Sequence, residues 1–223
     1  MRTAIAIDGP AGAGKSTVAK LVARRLGFLY LDTGAMYRAA GLKALRLGIP
    51  PGDATRVPDL IASTEVTIAF VDGAQHVVLD GEDVTALIRT PPVSVAASDI
   101  SAIPAVRLRM VELQRKISSE RDVVMDGRDI GTFVLPDASC KIYLSATIEE
   151  RTRRRCRELE ERGAEVVDAD AVRRDIEYRD HNDSHRALAP LAKAADATLV
   201  DTTGLSVEDV VETILRRVRH CAS

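Results

Sequence analysis

Gly9-Pro10-Ala11-Gly12-Ala13-Gly14-Lys15-Ser16 fits G-x-x-x-x-G-K-[ST] at every fixed position. Thr3 to Ile7 ahead of it is a short apolar run of strand length, and Thr17 to Leu26 behind it carries Val18, Leu21, Val22 and Leu26 at helical spacing. Strand, glycine loop and helix together are the setting of a phosphate-binding loop. Glycines let successive backbone N–H groups point at a polyphosphate, and the helix N-terminus adds partial positive charge. In this reading Lys15 reaches the β- and γ-phosphates and the Ser16 hydroxyl ligates Mg²⁺. A glycine turn with a chance Lys-Ser would leave both flanks unexplained.

The strand–helix alternation continues outward. Phe28 to Leu31 reads as a second strand, ended by Asp32-Thr33-Gly34, and Ala35 to Leu47 as a helix stopped by Gly48 and Pro50-Pro51-Gly52. A short helix is expected from Val57 to Ala62. Val66 to Val71 and Val77 to Leu79 are β-branched runs about Asp72-Gly73-Ala74, the pattern of an antiparallel hairpin inserted into the alternating chain. Pro104 opens a long helix to about Ser119. The strand Asp122 to Met125, the loop Asp126-Gly127-Arg128-Asp129 and the strand Cys140 to Leu144 follow. Thr147-Ile148-Glu149-Glu150 is a capping-box sequence. Helices are expected from there, from about Ala169 to Arg179, and from Ser206 to about His220, with a last strand Thr198 to Val200. Five parallel strands joined by helices predict a doubly wound α/β sheet with right-handed crossovers. The expected division is one domain: a core of about 1–62 and 120–223, an insertion of about 63–119, and a helical lid of about 150–180 within the core.

In such sheets ligands sit outside the carboxyl ends of the strands. That brings the Gly9–Ser16 loop, Asp32-Thr33-Gly34 with Arg38, and Asp126-Gly127-Arg128-Asp129 to one crevice. Arg151, Arg153, Arg154, Arg155 and Arg157 form the densest cationic cluster. Interleaved glutamates suit a solvated helix face, a lid over bound nucleotide is the alternative, and missing aromatics speak against a nucleic-acid patch. Arg179 to Arg186 mixes cations and carboxylates closely and reads equally as a plain loop or as a ligand contact.

Composition narrows the field. The formal charge of −2 provides no general attraction for nucleic acid or acidic lipid, while the cations are 25 Arg against 6 Lys, a bias that suits bidentate grips on phosphate. Cys140, Cys156 and Cys221 are widely spaced with no C-x-x-C and only four His, so neither zinc nor a disulfide framework is expected. No signal-peptide pattern or membrane-length apolar run is seen, which makes the cytoplasm the expected location. Asp201-Thr202-Thr203-Gly204 matches D-x-x-G, but no N-K-x-D accompanies it, which argues against a regulatory GTPase.

G-P-A-G-A-G-K-S, L-D-T-G-A-M-Y-R, I-R-T-P-P-V-S, D-G-R-D-I-G-T and R-D-x-x-D-S-x-R-A-L-A-P-L occur in this order, and the chain resembles the bacterial cytidylate kinases, a P-loop nucleoside monophosphate kinase family, over nearly its whole length. Pro92 departs from an acidic residue frequent there. The resemblance implies Mg²⁺-assisted transfer of the ATP γ-phosphoryl group to CMP or dCMP; nothing in the sequence suggests an obligate interface, so a monomer is expected, without nucleic-acid or membrane partners. It implies ATP contacts from Gly9, Pro10, Ala11, Gly12, Ala13, Gly14, Lys15, Ser16 and Thr17 and from the lid residues Arg151, Arg154 and Arg155. Thr33, Arg38 and Arg128 fall on acceptor positions, with Arg186 nearby. Ser98, Arg107 and Asp129 match cytosine-recognising positions, and Arg179 and Asp183 match sugar contacts. Lys15, Arg128, Arg155 and Arg186 are the expected catalytic cations, and Mg²⁺ is expected on Ser16, with Asp126 reaching it through water. No general base is needed, because the acceptor is a phosphate oxygen with a second pKa of about 6.

Overall fold

The structure is a computed structural model that describes residues 2–221. Its centre is a five-stranded parallel sheet of β1 (Ala4–Asp8), β2 (Leu29–Asp32), β6 (Val123–Gly127), β7 (Cys140–Ser145) and β8 (Thr198–Asp201), in the order β2-β6-β1-β7-β8. Strands buried on both faces need apolar residues in succession. Alternate side chains accordingly go opposite ways. Ile5, Ile7, Val124, Ile142 and Leu144 pack with α1 (Lys15–Leu26) and α8 (Val207–Cys221), while Ala6, Leu31, Val123 and Met125 pack with Val111, Ile130 and Val134. The register pairs Asp8 with Gly127 and with Tyr143, and Asp32 with Asp126, so the polar residues that end each strand lie along one edge.

Between β2 and β6 lie α2 (Thr33–Arg46), α3 (Arg56–Ala62), an antiparallel sheet of β3 (Val66–Val71), β4 (Ala74–Leu79) and β5 (Glu82–Asp83), α4 (Pro91–Ser101) and α5 (Pro104–Glu120). These share their own core, including Met36, Val57, Leu60, Val77, Ile100 and Met110. Two further helices, α6 (Ile148–Glu161) and α7 (Ala169–His185), precede β8 and close a small apolar cluster around Ala11, Val172 and Ile176.

Four readings of the sequence are corrected here. Asp126 and Gly127 are strand, not loop, because pairing with both β1 and β2 carries β6 further. The sequence reading gave α4 no element; Pro91 stands at its start, where a missing N–H costs nothing. α7 continues through Asp180–His185 instead of ending at Arg179. The capping box is half made. Thr147 Oγ1 accepts from Glu150 N at 3.3 Å, but the Glu150 carboxylate turns to Arg153 and Arg154 and the Thr147 N–H donates to Thr203 Oγ1.

Candidate active site

The cradle is built by a forced crossing. Gly9, at φ 147°, passes so close to β7 that a Cβ there would lie 2.2 Å from the Leu144 carbonyl oxygen. The loop then enters α1 through Gly14 at φ 87°. The first backbone bond at that end is Val18 N to Gly14 O at 3.1 Å, which leaves the N–H groups of Lys15, Ser16 and Thr17 with no acceptor inside the helix. Lys15 is 6 % exposed and its Nζ donates to Pro10 O at 2.7 Å. Burial, and then Arg128, hold its amine well below the ordinary lysine range.

Beside the cradle, Ser16 Oγ donates to Asp126 Oδ2 at 2.7 Å, and Tyr30 OH donates to Asp126 Oδ1 at 2.9 Å. Burial and the neighbouring Asp32 raise the Asp126 carboxyl above its ordinary value. A hydroxyl and one carboxylate fit Mg²⁺, which takes few protein oxygens and completes its shell from phosphates and water.

Facing the cradle is a ring of guanidinium groups. Asp32, the N-cap of α2, accepts from Ala35 N and from both Arg38 Nη2 at 2.7 Å and Arg89 Nη2 at 2.8 Å. Burial pushes its carboxyl up, and the two arginines outweigh that and bring it below the ordinary value. Arg128 Nε donates to Asp183 Oδ2 at 2.8 Å, and Ser98 Oγ to Asp183 Oδ1 at 3.3 Å. Asp183 is likewise pushed up by burial and brought down further by Arg128 and Arg186. Arg179 is the least compensated cation of the ring. Burial, and then Arg128, lower it to about 10, and its Nε and that of Arg38 are buried with no hydrogen-bond partner among the described residues. Such donors suit an incoming anion.

Deeper in, Arg107 (1 % exposed) donates to Asp129 Oδ2 at 2.7 Å, to Ser101 O and to Tyr37 OH. Arg186 Nη2 approaches Asp129 Oδ1 at 3.3 Å. These buried polar groups line part of a cleft of about 650 Å³.

The cleft is lined by every expected site residue except three: Gly9 and Pro10, at the start of the loop, and Arg151. Arg151 is turned away, bonded to Ala11 O, Ala146 O and Asp180. On α6, Arg154 is held by Glu150 and by Thr202, and Arg155 by Glu158. The sequence reading gave no site role to Arg89, which joins Arg38 on Asp32, or to the Thr202–Val207 wall; the wall's signal is its position just past β8, and Arg89, 57 residues from Asp32, has no local one.

Comparison with known proteins follows the same lines. The cytidylate kinase family model matches residues 5–220. The chain is 52 % identical over 211 residues to a cytidylate kinase of Caldicellulosiruptor bescii, covering 95 % of this chain and 93 % of that one. It is 53 % identical over 217 residues to a cytidylate kinase of Symbiobacterium thermophilum, covering 97 % and 96 %. A gluconokinase structure from Sinorhizobium meliloti superposes with TM-score 0.51 at 12 % identity, covering 99 % of this chain and 94 % of that one, which is a likeness of fold.

Proposed function

The chain belongs to the cytidylate kinase family, and on that premise we propose how its cleft moves the γ-phosphoryl group of ATP to CMP or dCMP. Lys15 and the N–H groups of the loop bind the donor phosphates. Ser16, and Asp126 through water, would hold Mg²⁺, which when bound would neutralise charge on the phosphate oxygens. Arg38 and Arg128, with Arg186 nearby, grip the acceptor phosphate. Arg154 and Arg155 close over the transferring group. The acceptor oxygen is already largely ionised at neutral pH, so the side chains have no proton to remove. Catalysis is in-line positioning plus cancellation of charge. One chain supplies every residue assigned, so the reading needs only a monomer, in the ATP-supplied cytoplasm.

The observation that carries this reading is the burial of Lys15 and the Arg38–Arg128–Arg179 group around one cleft, at the cost of lowering two of their pKa values. Two polyanions meeting there would restore the charge balance.

Base selection is assigned to Asp129, Arg107 and Ser98. Cytosine offers an amino donor beside ring acceptors, and uracil presents the opposite pattern at N3 and O4. Each Asp129 oxygen already accepts from one arginine, and a carboxylate has about four lone-pair sites, so about two remain and one of them can take the amino group. UMP would leave buried groups mismatched, worth several kcal/mol. The test is ADP release from ATP-Mg²⁺ with CMP, dCMP, UMP, AMP and dTMP. CMP and dCMP are expected to turn over well above the rest, and Asp129→Asn to narrow the CMP-over-UMP ratio by about tenfold or more. Release independent of the cytidine nucleotides would overturn the assignment.

A further inference from the structure

We propose that Arg151 and Asp180 are positioning residues, a pair that fixes the phosphate-binding loop at Ala11 and ties its shape to α6 and α7. The proposal rests on the reading of the cleft as an ATP site. Arg151 Nη1 donates to Ala11 O at 3.0 Å, and Ala11 N donates to Asp180 Oδ1 at 2.9 Å. Arg151 and Asp180 complete the ring with an ion pair of their own. Both backbone polar groups of one loop residue are thus satisfied by two side chains from two different helices. Arg151 Nε is also committed, to Ala146 O at 3.1 Å.

Packing says the same. The Ala11 side chain is 2 % exposed and sits with Val172 and Ile176 of α7, against Ile148, Cys156 and Leu159 of α6. At Gly12, whose φ is +75°, a Cβ would lie 3.0 Å from Arg151 Cβ and 3.2 Å from Arg151 O. The loop backbone therefore rests directly on the first turn of α6. Glycine-rich backbone has many conformations open to it and is fixed only by what it touches. Here it touches the lid helices, so a lid displacement reaches the phosphate cradle through Ala11. The Ala11 N–H is spent on Asp180, which leaves the cradle to begin at Gly12.

This predicts a split between substrates. Asp180→Ala removes the acceptor for Ala11 N and the counter-ion of Arg151, while the acceptor-site residues Arg38, Ser98 and Asp183 keep their contacts. The KM for ATP should rise about tenfold, the value of one charge-assisted hydrogen bond, with the KM for CMP within about twofold. Asp180→Asn keeps an oxygen for Ala11 N–H and should recover most of the loss. Arg151→Ala should resemble Asp180→Ala, and the double variant should be no worse than either, as for two parts of one unit. Binding of ADP by calorimetry, with thermal melts of each variant, reads the same split without turnover. A far larger loss for Arg151→Ala than for Asp180→Ala, additive in the double variant, would make Arg151 a direct phosphate ligand and overturn the proposal. Equal rises in both KM values, or Asp180→Ala and Arg151→Ala proteins that lose stability with no split between the two KM values, would overturn it too. A wild-type protein with no CMP-dependent turnover would instead remove the kinase reading on which the pair rests.

Discussion

Lys15 sits at a cost: its ammonium is buried, and Arg128 is a nearby like charge. Such a group belongs where an anion arrives during function. Lys15→Ala should lower kcat by about 10²- to 10³-fold, the range for removing one preorganised donor to a developing charge, with little change in the KM for CMP. Steady-state kinetics in both substrates check this, and a loss confined to the CMP KM would contradict the role. Asp8 is a different case. It accepts from Ile130 N and Gly131 N at 2.8 Å each, yet burial raises its carboxyl from 3.8 to about 6. The folded chain therefore holds this proton more tightly than the unfolded one. The stability so gained is complete below about pH 3.8 and is lost as pH rises through about 6. Relative to Asp8→Asn, the wild type should lose up to about 3 kcal/mol between about pH 4 and pH 7, read from urea unfolding across that range. A difference that does not change with pH would refute it.

Among the elements, the loop–helix unit is the most exacting. Gly9→Ala would drive a methyl group into the backbone of β7 at a φ that side chains rarely adopt. It should abolish ATP binding and cost more than about 2 kcal/mol of stability, measured by calorimetry and chemical denaturation. β1, β6 and β7 were legible because buried parallel strands must be apolar runs, and the glycine loop because its φ angles demand glycine. α4 was not, since Pro91-Pro92 looks like a break when read without knowing that it begins a helix. The end of α7 was not, because Arg179 and Asp183 face the cleft and blank out its apolar period. Arg151 shares an i, i+4 face with Arg155 in the sequence. Its contacts with Ala11, 140 residues away, and with Asp180 on α7 turn it from the cleft. The pairing of Arg128 with Asp183, 55 residues apart, likewise has no local signal.

At the scale of the molecule, each body of the chain delivers one part of the cleft. The central sheet presents the phosphate cradle, Asp126 and Arg128 along its carboxyl edge. The elements between β2 and β6 bring Arg38, Arg89, Ser98 and Arg107, and α6 and α7 bring Arg154, Arg155, Arg179 and Asp183. The end of α6 already reaches the elements between β2 and β6, with Arg162 Nη1 at 3.3 Å from Arg89 O. Among the described residues no helix is long and apolar enough to cross a membrane. Cations gathered from three parts of the fold line one cleft, where the proposed reaction would hold two anions end to end. The most direct measurement is calorimetric titration with an adenosine–cytidine pentaphosphate, in which five phosphates join the two nucleosides. One equivalent should bind per chain, displaced by ATP and by CMP alike, and Arg128→Ala and Lys15→Ala should each weaken it. Two equivalents per chain, or displacement by ATP with indifference to CMP, would contradict the account.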